Sequence, residues 1–139
     1  MKNLSTHDSF VCSVCHRLED RVLTILSHYR DRDIPEPYFV TEFSNVVAHH
    51  LQHVAAPSIL LDIEEVDIHA ILAANEALFT SGLKYNWPYH GLCTVPELAD
   101  RLTAESVKGY QVMGSCGLDG FVLAGCCNVS ASATPHFSA

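Results

Sequence analysis

Basic residues are scarce in this chain: eight Lys and Arg stand against sixteen Asp and Glu, which gives a net charge of −8 at pH 7. Proteins that bind nucleic acid depend on clustered Lys and Arg to neutralise the phosphates. Direct nucleic-acid binding is therefore not expected, and the expected partner is a protein with a basic surface.

Long apolar runs are also missing. No stretch approaches the roughly 18 apolar residues that a membrane-spanning helix needs, and the first ten residues lack the basic start and apolar run of a secretory signal. We therefore expect no membrane partner and a cytoplasmic location, in which the six cysteines would be reduced thiols.

Familiar catalytic patterns are absent as well. The chain contains no P-loop, no G-x-G-x-x-G and no recognisable order of nucleophile, base and acid. A non-enzymatic protein is the expectation.

Apolar residues recur at helical spacing over three long segments. Residues 6–30 and 38–56 each resemble one amphipathic helix. Residues 62–82 are apolar over most of a helical circumference, and Asp62 with Glu65 has the spacing of a capping box. The pattern predicts that this third helix lies at the centre of the molecule.

Two shorter elements are predicted further along. Thr94 and Glu97 form another capping-box pair, which predicts a short helix over residues 96–106. Asp119 and Gly120 suit the two-residue turn of a β-hairpin, a register that would place Val112 opposite Cys127.

The predicted fold is therefore α+β, a helix-rich single domain of four or five helices with a C-terminal β-hairpin packed on them. Residues 1–129 would form this domain, and residues 130–139, which are small and polar, would form a flexible tail. A homodimer through the hairpin edge is compatible with this arrangement.

Cys12-Ser-Val-Cys15-His16 is the most suggestive local motif. C-x-x-C is half of a zinc site, which Cys12, Cys15 and His16 could complete with Cys126. Helical spacing instead places Cys15 in a packing stripe. We therefore expect no cofactor, with zinc (or iron) binding as the alternative.

The same cysteines carry a resemblance to a known family. Cys12-Ser-Val-Cys15 at the head of a helix, with Thr94-Val95-Pro96 later in the chain, is similar to the active-site segments of thioredoxins and glutaredoxins. The resemblance implies thiol-disulfide chemistry at Cys12 and Cys15.

A second candidate metal site lies on the predicted second helix. Glu42, His49 and His53 fall on one polar stripe there, and His49 and His53 have the i, i+4 spacing of two ligands. A solvated helix face explains the same pattern.

Residues 94–112, TVPELADRLTAESVKGYQV, resemble the two helices of a helix-turn-helix. The resemblance implies a transcription regulator. Only Arg101 and Lys108 are basic in this stretch, so it would be a regulator without a basic DNA surface.

An aromatic loop follows the third predicted helix and contains Tyr85, Trp87, Tyr89 and His90 around a proline. Rigid aromatic side chains of this kind supply the contact area of binding hot spots. The sequence therefore predicts a small acidic inhibitor, adaptor or accessory regulator that binds another protein through this loop, for example a nucleic-acid-handling enzyme with a basic channel.

Overall fold

A computed structural model describes residues 5–135, which form six antiparallel β-strands closed into a barrel and three short helices outside it. The elements in chain order are β1 (Ser9–Arg17), β2 (Val22–Tyr29), β3 (Tyr38–Gln52), β4 (Ile59–Val66), α1 (Ile68–Ala74), α2 (Glu76–Leu83), α3 (Val95–Ala104), β5 (Lys108–Cys116) and β6 (Asp119–Ser132). The strand order around the barrel is β1-β2-β3-β6-β5-β4. The predicted helix-rich α+β fold is therefore wrong.

The predicted first helix is a β-hairpin made of β1 and β2. Five consecutive residues of β2, from Leu23 to Ser27, are buried, so apolar residues occur on both faces of the strand and also fit a helical spacing. The turn between the strands contains neither Gly nor Pro. Arg21 supplies the bend with a left-handed φ of 56°, and its N–H donates to the carbonyl of Leu18 at 3.2 Å. The usual signals of a turn are therefore missing.

The predicted second helix is the long strand β3. Phe39, Thr41 and Phe43 alternate toward the barrel interior and are all buried, which is the two-residue period of a strand. Asn45 then adopts a left-handed φ of 51°, so that Val46 also faces the interior cluster. This kink makes the apolar residues of β3 recur at three and four positions, as in a helix.

The predicted central helix over 62–82 divides into a strand and two helices. β4 extends to Val66, and the first helix begins only after Asp67, whose carboxylate accepts a hydrogen bond from the N–H of His69 at 2.9 Å. α2 continues to Leu83. These helices lie outside the barrel and not at its centre, and no helix among residues 5–135 is long and apolar enough to cross a membrane.

The short helix expected after Thr94 is confirmed as α3. The Thr94 hydroxyl accepts a hydrogen bond from the N–H of Glu97 at 3.3 Å, which is the N-cap half of a capping box. The second helix of the helix-turn-helix resemblance is not formed, because residues 108–116 are strand β5. The helix-turn-helix interpretation is therefore wrong.

The C-terminal hairpin exists as β5 and β6, but its predicted register is wrong. Val112 pairs with Gly120 and not with Cys127, a shift of seven positions that exchanges the two faces of β6. Val122 consequently points into the barrel, while Phe121 points out toward the helices. The outer edges of the hairpin are occupied within the chain, since β5 pairs with β4 and β6 pairs with β3.

Two hydrophobic clusters lie on opposite sides of β6. The barrel interior holds Leu23, Ile25, Phe43, Val46, Leu60, Tyr110, Val112, Leu118, Val122 and Ala124. The helical layer holds Ile71, Leu72, Phe79, Leu83, Leu98, Leu102, Val107, Phe121 and Leu123. Burying each large side chain contributes about 1.5 to 3 kcal/mol. The continuous apolar run of β6 is explained by this burial on both faces.

The predicted domain limits fall partly outside the described residues, because residues 1–4 and 136–139 are not described. β6 continues to Ser132, which pairs with Tyr38 on β3. Residues 130–132 of the expected tail are therefore part of the barrel.

Candidate functional site

The C-x-x-C-H segment lies in β1 and does not head a helix. Cys12 occupies an irregularity in the pairing of β1 with β2, and Cys15 is exposed. His16 points to the opposite face from its neighbour Cys15, as successive strand residues do. Cys126 lies on β6, separated from β1 by β2 and β3. No group of three or more Cys, His, Asp or Glu side chains in the described part of the chain is arranged to hold a metal.

The second set of candidate ligands is spread along β3 and beyond it. Glu42 is exposed on the outer face, where it lies between Thr24 of β2 and Asn128 of β6. His49 lies on the far side of the kink in β3. His53 follows the strand, and its Nδ1 lies 2.9 Å from the carboxylate of Asp119. The structure does not bring Glu42, His49 and His53 onto one stripe.

The aromatic loop is anchored at one residue and exposed at another. The Trp87 ring stacks on Phe79 with 5.5 Å between centroids and 10° between planes. A Cβ at Gly82 would lie 2.4 Å from the Trp87 ring, so the glycine is needed for this close approach. Tyr85 is 81% exposed, and His90 is exposed as well.

Tyr89, the remaining aromatic candidate, turns inward and forms one wall of a depression at the end of the barrel where β1 turns into β2. We call this depression the basal cleft. It consists of two adjoining cavities of about 180 and 330 Å³ that share Arg21 and Val47. The basal cleft is lined by His16, Leu18, Arg21, Asn45, Val46, Val47, Pro88, Tyr89, Glu105, Ser106, Val107 and Gly125.

Two imidazoles lie together, and one of them, His16, lines the smaller cavity. The rings of His16 and His49 are 4.8 Å apart between centroids and meet edge to face. Burial lowers the pKa of both, and that of His49 is lowered further by the neighbouring His16 and His50. His49 Nδ1 is buried without a hydrogen-bond partner among the described residues. Both shifts favour the neutral form of the two rings at pH 7.

Tyr89 and Glu105 also line the cleft, and both contact Arg101, which itself lines neither cavity. The Arg101 guanidinium lies 4.6 Å above the Tyr89 ring and bonds to the Glu105 carboxylate. Burial raises the pKa of Tyr89, Glu105 raises it further, and Arg101 and Arg21 oppose the rise. The buried Tyr89 hydroxyl has no hydrogen bond of good geometry with any described residue.

Arg21 is the cleft residue that sequence reasoning missed. Its guanidinium makes no ion pair within residues 5–135, although it lines both cavities. His16 and His49 were singled out as ligands of two separate metal sites, and Tyr89 as part of a protein-binding loop. The strand register brings His16 and His49 to the same end of the barrel, and the segment after α2 adds Tyr89. Arg21 was missed because a lone arginine in a turn has no sequence pattern that would mark it.

No family model matches the chain, and neither does any curated protein or solved structure.

Proposed function

We propose that this chain is a non-enzymatic protein that acts by binding another protein, as an inhibitor, adaptor or accessory regulator. The contact surface is the aromatic loop together with the outer side of the helices. The observation that supports this proposal best is the 81% exposure of Tyr85 on a backbone that is held in place.

The backbone at Tyr85 is fixed by hydrogen bonds to the end of α2. The N–H groups of Tyr85 and Trp87 both donate to the carbonyl of Gly82 at 2.9 Å, and the N–H of Asn86 donates to Leu83 at 3.2 Å. Trp87 is held in turn by its stacking on Phe79. A side chain presented on a fixed backbone loses little entropy on binding, so more of its contact energy becomes affinity.

The charge of the helical layer indicates the chemistry of the partner. The exposed acids on or beside the helices are Asp67, Glu76, Glu97, Asp100 and Glu105, against the exposed bases Lys84 and Arg101. Arg101 is already paired with Glu105. An acidic surface beside an exposed tyrosine complements a basic partner surface that offers an apolar recess.

Tyr85→Ala tests the proposal, with Val54→Ala as the matched control, because Val54 is also exposed (60%) but follows β3. Immobilised wild-type protein and the control should retain the same partner, and Tyr85→Ala should weaken its retention roughly tenfold or more. Retention should also weaken as salt is added, since the surfaces carry opposite charge. Equal retention by all three proteins would refute the contact role of the loop.

A stability measurement separates contact from anchoring. Tyr85→Ala should leave the free energy of unfolding within about 0.5 kcal/mol of wild type, as for other exposed positions. Trp87→Ala should lower it by about 3 kcal/mol, because the stack on Phe79 is lost. Similar losses for both variants would show that Tyr85 is a packing residue instead.

A further inference from the structure

The basal cleft has the features of a binding site for a small molecule, separate from the aromatic side chain that is proposed to contact a protein. Its smaller cavity, of about 180 Å³, has room for a compact ligand, and the adjoining cavity of about 330 Å³ extends the space beyond Arg21. Pockets that bind small molecules are mostly apolar with a few polar groups that set orientation. Leu18, Val46 and Pro88 supply apolar walls here.

The cleft also has donor groups without partners. Arg21 is exposed and lines both cavities, and within the described chain no carboxylate lies within ion-pair distance of it. The acids nearby are engaged elsewhere: Asp20 pairs with Arg17 at 3.6 Å, and Glu105 pairs with Arg101. Glu19 is exposed in the same turn and lines neither cavity.

Two buried polar atoms beside the cleft also lack well-formed hydrogen bonds. His49 Nδ1 has no hydrogen bond to any residue between 5 and 135, and the Tyr89 hydroxyl has none of good geometry, although the Glu105 carboxylate lies near it and raises its pKa. Buried polar groups are normally paired, so each orphan needs an explanation. An anion that accepts hydrogen bonds from Arg21 and Tyr89 would satisfy the phenol, and neutral His16 can donate from one ring nitrogen.

The backbone around the cleft is held in an uncommon conformation. Three residues that line it, Arg21, Asn45 and Ser106, have left-handed φ angles of 56°, 51° and 57°. Such conformations persist only where the surrounding structure imposes them, and they are frequent at binding sites. The carbonyl of Arg21 accepts a hydrogen bond from the N–H of Val46 at 2.9 Å, which fixes the turn against β3. The main chain at Arg21, from which the guanidinium extends, is therefore held in place by the fold.

We propose that the basal cleft binds a small monocarboxylate with an apolar body, whose carboxylate is held by Arg21 and Tyr89 and whose body lies against Leu18, Val46 and Pro88. A guanidinium binds a carboxylate through two parallel N–H···O bonds. The apolar walls favour a carboxylate with a hydrocarbon body over inorganic phosphate, which is hydrated on every side.

Benzoate is a suitable probe, with benzamide as its neutral analogue and inorganic phosphate as an anion without an apolar body. In a titration of the full chain followed by amide NMR, benzoate should saturate, with shifts concentrated at residues 16–21, 45–47 and 87–89. Benzamide and phosphate should each bind at least roughly tenfold more weakly. Equal binding of benzamide, tighter binding of phosphate, or shifts centred outside these segments would overturn the proposal.

Arg21→Gln removes the charge, and Arg32→Gln is the matched control, because Arg32 is exposed in a loop away from the cleft. Arg21→Gln should weaken benzoate binding roughly tenfold or more, and Tyr89→Phe should weaken it less, since a neutral donor is lost. The control should bind as wild type. Equal weakening by both arginine variants would show attraction by overall charge and would refute a specific site.

Discussion

Two buried hydroxyls in the barrel lack hydrogen-bond partners, and replacing one of them should stabilise the protein. Ser27 Oγ and Thr41 Oγ1 have no partner among the described residues, although both residues are fully buried. Thr41 lies beside Ile25 on the interior face. Thr41→Val exchanges the hydroxyl for a methyl group of nearly the same size, so that the packing is preserved.

The expected magnitude follows from the cost of burying an unpaired polar group. That cost is about 1 to 3 kcal/mol, so Thr41→Val should raise the free energy of unfolding by about 1 kcal/mol or more. Ser9→Ala is the matched control, for which the free energy of unfolding should fall instead of rise. Ser9 is equally buried, and its hydroxyl donates to the carbonyl of Thr6 at 2.5 Å. Losing that bond should cost about 1 kcal/mol.

Urea denaturation measures both changes, because a shifted midpoint at unchanged slope reports stability alone. A gain of about 1 kcal/mol corresponds to a rise in Tm of roughly 3 to 4 °C for a domain of this size. If Thr41→Val destabilises as much as Ser9→Ala, the Thr41 hydroxyl is bonded in solution. The inference of an unpaired polar group in the barrel would then be wrong.

Three further predictions concern a thiol, the imidazole pair and a glycine. Burial raises the pKa of Cys127 to about 11 from 9.0, so its thiolate is roughly 100-fold rarer than that of an ordinary thiol. Cys127 should therefore alkylate far more slowly at pH 8 than exposed Cys116. Equal alkylation rates measured by mass spectrometry would contradict the burial of Cys127. Because burial lowers the pKa of His16 and His49 below 6.5, the unfolded chain takes up protons first as pH falls, so stability should decrease from about pH 7 to pH 5. His49→Gln should flatten that dependence, and an unchanged slope in denaturation midpoints would show that His49 is solvated. Gly120 has φ +146°, and a Cβ there would lie 1.9 Å from the carbonyl oxygen of His50. Gly120→Ala should therefore lower the free energy of unfolding by about 2 to 3 kcal/mol. A loss under about 0.5 kcal/mol would disprove this close approach.

The capping-box pair in the sequence predicted α3 correctly. Hydrophobic spacing failed in β3, where the same apolar residues fit both a strand period and a helix period. The capping pair Thr94 and Glu97 identifies α3 without help from the rest of the fold. In β3, by contrast, the kink at Asn45 converts a strand pattern into one that also fits a helix. The aromatic and β-branched content of β3 was the better indicator, because such side chains suit strands.

The basal cleft could not be predicted from sequence, because long-range pairing assembles it. Arg21 comes from a turn, His49 lies beyond a kink, and Tyr89 follows α2. Nothing local determines that these residues meet, since a shift of one position in strand register would turn His16 away from the cleft. The aromatic loop was visible in the sequence, but the different orientations of Tyr85 and Trp87 depend on the close approach of the Trp87 ring to Gly82.

Strand β3 contributes adjacent residues to both hydrophobic clusters: Val46 packs in the barrel and Val47 packs under the helices. β6 does the same with Val122 and Phe121. Unfolding of either cluster would displace main chain of β3 and β6 that the other cluster holds in place. The molecule should therefore melt as one cooperative unit, and ligand bound at the barrel end should raise the melting temperature of the helices by the same amount as that of the strands.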